Sequence, residues 1–433
     1  MDKTREIAML IVHDVFFKGA YANMALKEYF QKNKDLSKID KAFATNIVYG
    51  TIKFQITIDY IIGCYSKIKL KKISPYILSI LRIGIYQINF MDKVPGSAAV
   101  NECVTLAKRY GHKASSGFVN GILRNVLRND SKLPDDLSIK YSFPEWLVSQ
   151  WVTDFGKSFA CDLMEAMNSE PKVTVRVNTL KTNPADLLDK LPDAKVSEDY
   201  ENSLICGGFD VAESEYYKNG HFTPQDISAS LAAIVLNPSE GETVLDMCAA
   251  PGGKTTHMAE LMKNKGQIIA CDIHEHKIKI IKENAKRLGI DIIDVKELDA
   301  SEENKDFINK FDKVLADVPC SGLGIIRRKP DIKQNKNEPE IAELQYKILE
   351  NACKYLKIGG ELVYSTCTLN KRENENIIER FLKNNDGYER VDINEFLTDK
   401  LRKDSCKKGY VTFYPNIDGI DGFFISKIKK VNK

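Results

Sequence analysis

The sequence predicts a doubly wound α/β domain in its second half, preceded by an all-helical domain and a small α+β segment. Three observations carry the prediction. From Thr4 to about Asn129 apolar residues recur at spacings of three and four, the period of a helix face packed on a core. From Glu242 onward short apolar runs alternate with helical stretches, the pattern of a parallel sheet with crossover helices. Between the two, Val173, Val175 and Val177 alternate with polar neighbours, as in a half-buried strand.

A chain of 433 residues is too long for one ordinary core. The pattern breaks suggest a helical domain over 1–128, a linker over 129–140, an α+β segment over 141–235 and the α/β domain over 236–433. Hydrophobic content of 43% with 28% charged residues belongs to a globular protein, and no run of about eighteen apolar residues offers a membrane span. Ten cysteines without C-x-x-C spacing favour reduced thiols in a cytoplasm over a disulfide framework or a zinc site, so no metal is expected. The start, MDKTREIAMLIVHDVFF, has no cleavage pattern of a signal peptide.

In the helical front, Ile7, Leu10, Ile11 and Val15, and again Ile77, Ile80, Leu81 and Ile85, mark inward faces. Breaks fall near Asp35 to Asp40, at Pro75 and at Val94-Pro95-Gly96, so a bundle is expected. Tyr86, Phe43 and Leu123 read as core. Residues 1–130 hold roughly 20 Lys and Arg against 10 Asp and Glu, whereas the remainder is acidic. That asymmetry suggests a module for a polyanion, with a solvated lysine-rich face as the alternative. Arg82, Arg124, Arg128, Lys53, Lys108 and Arg109 are the candidates for RNA contact.

After the polar linker, YSFPEWLVSQW resumes helical spacing and supplies both tryptophans, Trp146 and Trp151, as packing anchors. In the strand KVTVRVNTLK, Arg176 and Asn178 share the face opposite the valines. A helix is then expected from Asp226 or Ser228 to Asn237-Pro238.

The α/β domain places polar residues at its strand ends: Asp246, Asp272, Asp299, Asp317 and Cys367. Ligands in such folds bind beyond those ends. After the first strand, Cys248 to Lys254 form a loop in which Gly252 and Gly253 let backbone amides approach a ligand, followed by a helix start near Lys254. Asp272, 20 positions after Gly252, is placed to accept hydrogen bonds from ribose hydroxyls, which leaves a nicotinamide, S-adenosylmethionine or another nucleoside open. The rival is a phosphate-binding loop, since Gly253-Lys254-Thr255 matches its ending. Cys248, however, stands where that loop requires glycine.

Cys320, in DVPCSGLG, and Cys367, in YSTCTL, lie at loop-facing ends beside Asp317, which suggests thiolate chemistry. Methylation of cytosine C5 makes that demand: a thiolate must add at C6, an acid must support N3, and a second group must assist release. Spacing leaves open which cysteine attacks.

The segments DKAFATNIVYGTIKF, LRIGIYQINFM and GFVNGILRNVLR resemble the NusB-like RNA-binding domain that precedes certain RNA methyltransferases. VLDMCAAPGGKT, ACD, LADVPCSGLG, STCT and DGFF resemble the RNA cytosine-5 methyltransferases of the Sun (Fmu) family, whose catalytic domain is Rossmann-like. The resemblance implies that Cys248, Ala249, Ala250, Pro251, Gly252, Gly253 and Lys254 hold S-adenosyl-L-methionine, with Asp272 on the ribose, Asp299 near the adenine and Asp317 near methionine and cytosine. It implies Cys367 as nucleophile and Cys320 as the thiol that aids product release. The FPEWL and R-V-N-T runs resemble a segment that helps bind RNA, which adds Arg176 and Asn178 to the RNA candidates, and Arg327 and Arg328 are phosphate candidates beside Arg124. The implied substrate is a cytosine of small-subunit 16S ribosomal RNA, cytosine 967, acted on by a monomer. Two alternatives stand beside it: an RNA-binding assembly factor without catalysis, and the same chemistry on another rRNA or tRNA cytosine. Lys329, Gln334, Asn416 and Ile420 depart from residues common in relatives.

Overall fold

The computed structural model describes residues 2–129, 132–334 and 340–432, and it divides into two compact units. The first comprises Met1–Ser169 with Ile326–Asn335, and the second Glu170–Ile325 with Lys336–Lys433.

The first unit is helical: α1 (Lys3–Lys18), α2 (Ala22–Lys32), α3 (Lys38–Lys53), α4 (Gln55–Tyr65), α5 (Pro75–Phe90), α6 (Gly96–Tyr110), α7 (Lys113–Arg128), α8 (Leu137–Tyr141), α9 (Glu145–Phe155) and α10 (Lys157–Asn168). Local chemistry sets the ends. Asp2 accepts hydrogen bonds from the amides of Thr4 and Arg5, Ser37 and Asp40 form a reciprocal cap on α3, and Pro75 opens α5. The predicted inward residues Ile7, Ile11, Val15, Ile77, Ile80, Leu81 and Ile85 share one buried core.

Two segments lie elsewhere than the sequence suggested. Helix α8, expected to fall in the linker, and helices α9 and α10, expected to belong with the α+β segment, pack in the helical unit. The Thr57 hydroxyl donates to the Ile139 carbonyl at 2.5 Å, and the Phe143 and Trp151 rings, both fully buried, stand 5.4 Å apart. Residues 326–334, expected to stay with the α/β domain, also join this unit. Their anchor is Lys333, whose buried amino group donates to the carbonyls of Lys53 (3.1 Å) and Ser142 (2.9 Å) and to Asn168 Oδ1 (3.1 Å), and lies 3.6 Å above the Phe143 ring; burial, then the charge of Lys53, push its pKa well below the usual lysine value. Three acceptors and an aromatic face replace the water that this group loses.

The second unit holds two sheets. A four-stranded antiparallel sheet runs in the order β2 (Lys195–Val196), β3 (Ser203–Cys206), β1 (Val173–Val177), β4 (Phe222–Pro224), with short helices α11 (Ala185–Leu188) and α12 (Glu215–Lys218). Val175, Val177, Leu187, Leu204 and Phe222 form its core.

The larger sheet is the doubly wound one. Helix α13 (Ile227–Leu236), capped by Asp226 and ended by left-handed Asn237, leads into β5 (Thr243–Asp246). There follow α14 (Gly253–Leu261), β6 (Gln267–Asp272), α15 (Glu275–Leu288), β7 (Ile293–Glu297), β8 (Phe311–Asp317), α16 (Glu340–Tyr355), β9 (Leu356–Thr366), α17 (Glu375–Asn384), β10 (Tyr388–Arg390), β11 (Tyr410–Phe413), α18 (Pro415–Asp418) and β12 (Phe423–Lys430). The strand order is β10-β12-β9-β8-β5-β6-β7, with β11 paired to β12. Strands β5 to β9 are parallel, β12 runs antiparallel to β9, and the winding reverses between β5 and β8. Apolar side chains cover both faces, as a buried parallel sheet requires. Among the described residues no helix is long and apolar enough to cross a membrane.

Candidate active site

The reversal point puts β5, β8 and β9 side by side, and their carboxyl ends carry the residues singled out above. Asp317 is in register with Ser365, and Asp246 with Leu315, so these ends lie at one edge. The ladder runs past β5, where Met247 N donates to Leu315 O and Ala249 N to Cys271 O, which fixes the start of the loop. Gly252 then takes φ +97°, a conformation that side chains resist, and its carbonyl and amide turn the chain into α14. Asn284 of α15 donates to the Pro251 carbonyl at 2.9 Å and ties the loop to the next crossover.

Carboxylates converge on this loop. Burial first, then Asp246, Asp317 and Asp272, push the Cys248 thiol well above its usual pKa, so Cys248 stays protonated. Asp246 is buried; its Oδ2 accepts from the Thr255 hydroxyl at 2.7 Å, and its Oδ1 finds no hydrogen-bond partner among the described residues. Burial raises its pKa to about 7. Asp317 Oδ2 accepts from Lys254 Nζ at 2.7 Å, and Oδ1 from the Ser365 hydroxyl at 2.8 Å. Burial works against the charge on Lys254, but Asp317, then Cys367 and Asp246, outweigh it and hold the ammonium pKa above the usual lysine value. Asp272 Oδ1 accepts from the His274 amide at 3.1 Å, and Asp299 Oδ1 from the amide and hydroxyl of Ser301.

The two cysteines predicted for chemistry meet: Cys320 Sγ and Cys367 Sγ are 3.1 Å apart. The contact with Cys367, then burial, then the charge of Glu373 hold Cys320 well above the usual thiol range, because ionising it would set a second negative charge beside its neighbour. A protonated Cys320 can donate across this contact to a Cys367 thiolate. Gly324 N donates to Cys367 O and Gly422 N to Gly324 O, each at 2.9 Å. A Cβ on Gly324 would fall 2.0 Å from the Gly422 carbonyl oxygen, so the SGLG and DGFF runs need glycine to lie against the Cys367 strand end.

The RNA candidates divide sharply. Arg176, expected to face RNA, is fully buried. It donates two hydrogen bonds to the Glu260 carboxylate (3.0 and 2.9 Å), one to Gly253 O (2.7 Å), one to Thr256 Oγ1 (3.0 Å) and one to Gln225 Oε1. Asn178 is buried too, and its amide donates to Gly220 O and Leu288 O. These two readings are corrected: the strand face opposite the valines is a packing face against α14 and α15. In the helical unit Arg82 pairs with Asp59 at 2.7 Å, and Lys53 donates to Asn168 O at 3.0 Å, so both are taken up inside the bundle. Arg327 is buried and Arg328 half-buried, whereas Arg124, Arg128 and Lys108 are exposed. Burial removes Arg327 from the accessible phosphate candidates. Sequence reasoning missed Lys254 as the Asp317 partner, the Arg176–Glu260 pair and Glu373, because each pairing joins residues distant in the chain. Among the described residues no group of three His, Cys, Asp or Glu is placed to hold a metal ion.

Residues 233–429 match the family model 16S rRNA methyltransferase RsmB/F, residues 2–128 the NusB family, and residues 143–204 a ferredoxin-like domain of RsmF/B-like methyltransferases. The probable ribosomal RNA small subunit methyltransferase B of Bacillus subtilis is 38% identical over 99% of this chain and 100% of its own. The human 28S rRNA (cytosine(4447)-C(5))-methyltransferase is 36% identical over 69% of this chain and 39% of its own. The crystal structure of PH0851 superposes with a TM-score of 0.84 at 28% identity, covering 99% of both chains. NSun6 from Pyrococcus horikoshii, solved with SFG, gives a TM-score of 0.60 at 26% identity over 68% of this chain and 100% of its own. Doubly wound sheet, cysteine pair and matches together define an S-adenosylmethionine-dependent rRNA (cytosine-C5) methyltransferase. The full-length agreement with the Bacillus protein, helical front included, narrows this further. The chain belongs to the family of ribosomal RNA small subunit methyltransferase B.

Proposed function

We propose that this protein methylates C5 of a cytosine in small-subunit 16S ribosomal RNA, at the position of cytosine 967, through a covalent bond between Cys367 and C6. The observation that carries the chemistry is the 3.1 Å approach of two cysteines at the strand ends beside Asp317 and Lys254. The loop from Cys248 to Lys254 suits S-adenosylmethionine: three carboxylates surround it, and the partnerless Asp246 Oδ1 offers an acceptor to an amine. Ala249, Ala250, Pro251, Gly252 and Gly253 would present backbone to it, Asp272 would hold the ribose and Asp299 the adenine side. When bound, the cofactor supplies an electrophilic methyl on a sulfonium.

The residues of the chain do the rest. Cys367 adds as a thiolate to C6, and the displaced ring electrons are accommodated as N3 takes a proton, with Asp317 and its Lys254 partner at the ring edge. C5, now enamine-like, accepts the methyl group. Loss of the C5 proton to a base re-forms the C5–C6 double bond, the C6–S pair returns to Cys367, and N3 gives up its proton. The Cys320 thiol donates a hydrogen bond to the departing sulfur. The base must be unpaired or flipped to admit a thiolate above its plane, and the exposed Arg124, Arg128 and Lys108 supply phosphate contacts on the helical unit.

The test is adduct formation with 5-fluorocytosine RNA and S-adenosylmethionine. Wild type forms a denaturation-resistant adduct and Cys367→Ala does not. An adduct, together with methylation of ordinary RNA, in Cys367→Ala would overturn the assignment. Mapping 5-methylcytosine in ribosomal RNA with and without the gene tests the target nucleotide.

A further inference from the structure

Glu373 lies between the end of β9 and the start of α17, and its carboxylate gathers the whole cysteine site. It is buried at 1% exposure and accepts four hydrogen bonds: Ser321 Oγ at 2.6 Å, Ser321 N at 2.9 Å, Asn370 Nδ2 at 2.9 Å and Gln345 Nε2 at 3.0 Å. Ser321 follows Cys320 directly. Gln345, on α16, also donates to the carbonyl of Pro319 at 2.8 Å, so the carboxylate grips the chain on both sides of Cys320. Asn370 lies three residues past Cys367, and Ser321 Oγ meets Thr368 Oγ1 at 2.7 Å, which joins the loop of one cysteine to that of the other. The residue itself is held by its backbone, since Tyr364 OH donates to Glu373 O at 2.7 Å.

We propose that Glu373 is a positioning residue for product release, which holds the Cys320 thiol against the Cys367 sulfur. The proposal rests on the roles given above to the two cysteines. In release the C5 proton passes to a base, water in the simplest case, its bonding pair re-forms the C5–C6 double bond, and the C6–S pair leaves as the Cys367 thiolate. A thiol held at 3.1 Å hydrogen-bonds that thiolate as it forms. The first half of the reaction does not use this thiol. Glu373 also acts by charge: after Cys367 and burial, it is the remaining cause that keeps Cys320 protonated and able to donate. Loosening Glu373 should therefore spare methyl transfer and retard departure. A carboxylate that merely stabilised the loops would weaken both together.

The experiment uses the full chain, S-adenosylmethionine and ordinary substrate RNA, and follows the methyl transferred in the first turnover, the denaturation-resistant adduct and the steady-state rate. Glu373→Gln keeps the shape and removes the charge. Its first-turnover methylation should stay within about twofold of wild type while its steady-state rate falls about tenfold to a hundredfold, with adduct accumulating as in Cys320→Ala. Ser321→Ala, which removes one link, should show the same imbalance more weakly and decides the matter if Glu373→Gln does not fold. Equal losses in both phases, or wild-type turnover in both variants, would overturn the proposal. The underlying reading is checked separately: if Cys320→Ala itself accumulates no adduct, the release role of that cysteine fails, whatever Glu373 does.

Discussion

Replacing Arg176 by methionine separates a structural clamp from an RNA contact, and the structure sets the size of the effect. The guanidinium is fully buried, and the Glu260 side chain is 3% exposed. The substitution deletes both bonds of the bidentate pair and a third to the Gly253 carbonyl at the first turn of α14, which keeps the Thr256 hydroxyl as a donor at 3.2 Å. Removing one partner of a buried pair costs about 3–5 kcal/mol, because the other charge is left without compensation. Burial already raises the Glu260 pKa and Arg176 restrains the rise, so the orphaned carboxyl will take up a proton rather than stay charged. Replacing both partners, as Arg176→Met with Glu260→Leu, should recover most of the loss. Amide hydrogen exchange over residues 253–261 measures this, and protection there should fall a hundredfold or more, since about 1.4 kcal/mol is a factor of ten. Trp146 and Trp151 both lie in α9 of the helical unit, so the urea midpoint of tryptophan fluorescence is an internal control that should not move. Unchanged exchange with weakened RNA binding would refute the clamp and restore the RNA contact.

Further outcomes follow from the same geometry. Lys254→Met removes the ammonium beside Asp317 and Cys367 and should slow adduct formation with 5-fluorocytosine RNA by about tenfold or more, the worth of one charge-assisted hydrogen bond; an unchanged adduct rate would exclude it from the reaction. Asp246 keeps its proton in the folded state up to about pH 7, whereas an unfolded aspartate loses it near pH 4. Stability therefore falls as pH rises through that window, by a term of the order of 4 kcal/mol, and Asp246→Asn should flatten the difference in melting temperature between pH 4.5 and 7.5. Lys333→Met leaves three acceptors unpaired in the helical unit and should destabilise it by roughly 2–4 kcal/mol, read as an earlier urea midpoint of tryptophan fluorescence.

Much of the fold was legible because periodicity is local. Helix faces around Ile7 and Ile77, the caps at Asp226 and Asn237, and the alternation from β5 to β9 all follow from neighbours within a few positions. The strand-end residues were legible for the same reason, and the parallel ladder brings their ends to one edge. Side-chain direction beyond a strand's two faces was not. Arg176 and Asn178 alternate correctly with the valines, but alternation does not say whether the second face meets solvent, and here it meets α14 and α15.

What the sequence determined by itself is the order of elements, the loop from Cys248 to Lys254 and the identity of the two cysteines, all encoded in short stretches. What only the tertiary structure decided is partnership across the chain: Cys320 with Cys367, Lys254 with Asp317, Glu373 with Ser321, and residues 326–334 drawn into the helical unit by Lys333. The physical reason is the cost of burying charge. A buried ammonium or carboxylate takes whichever partners the packed core brings within reach, and that choice is made by the fold as a whole.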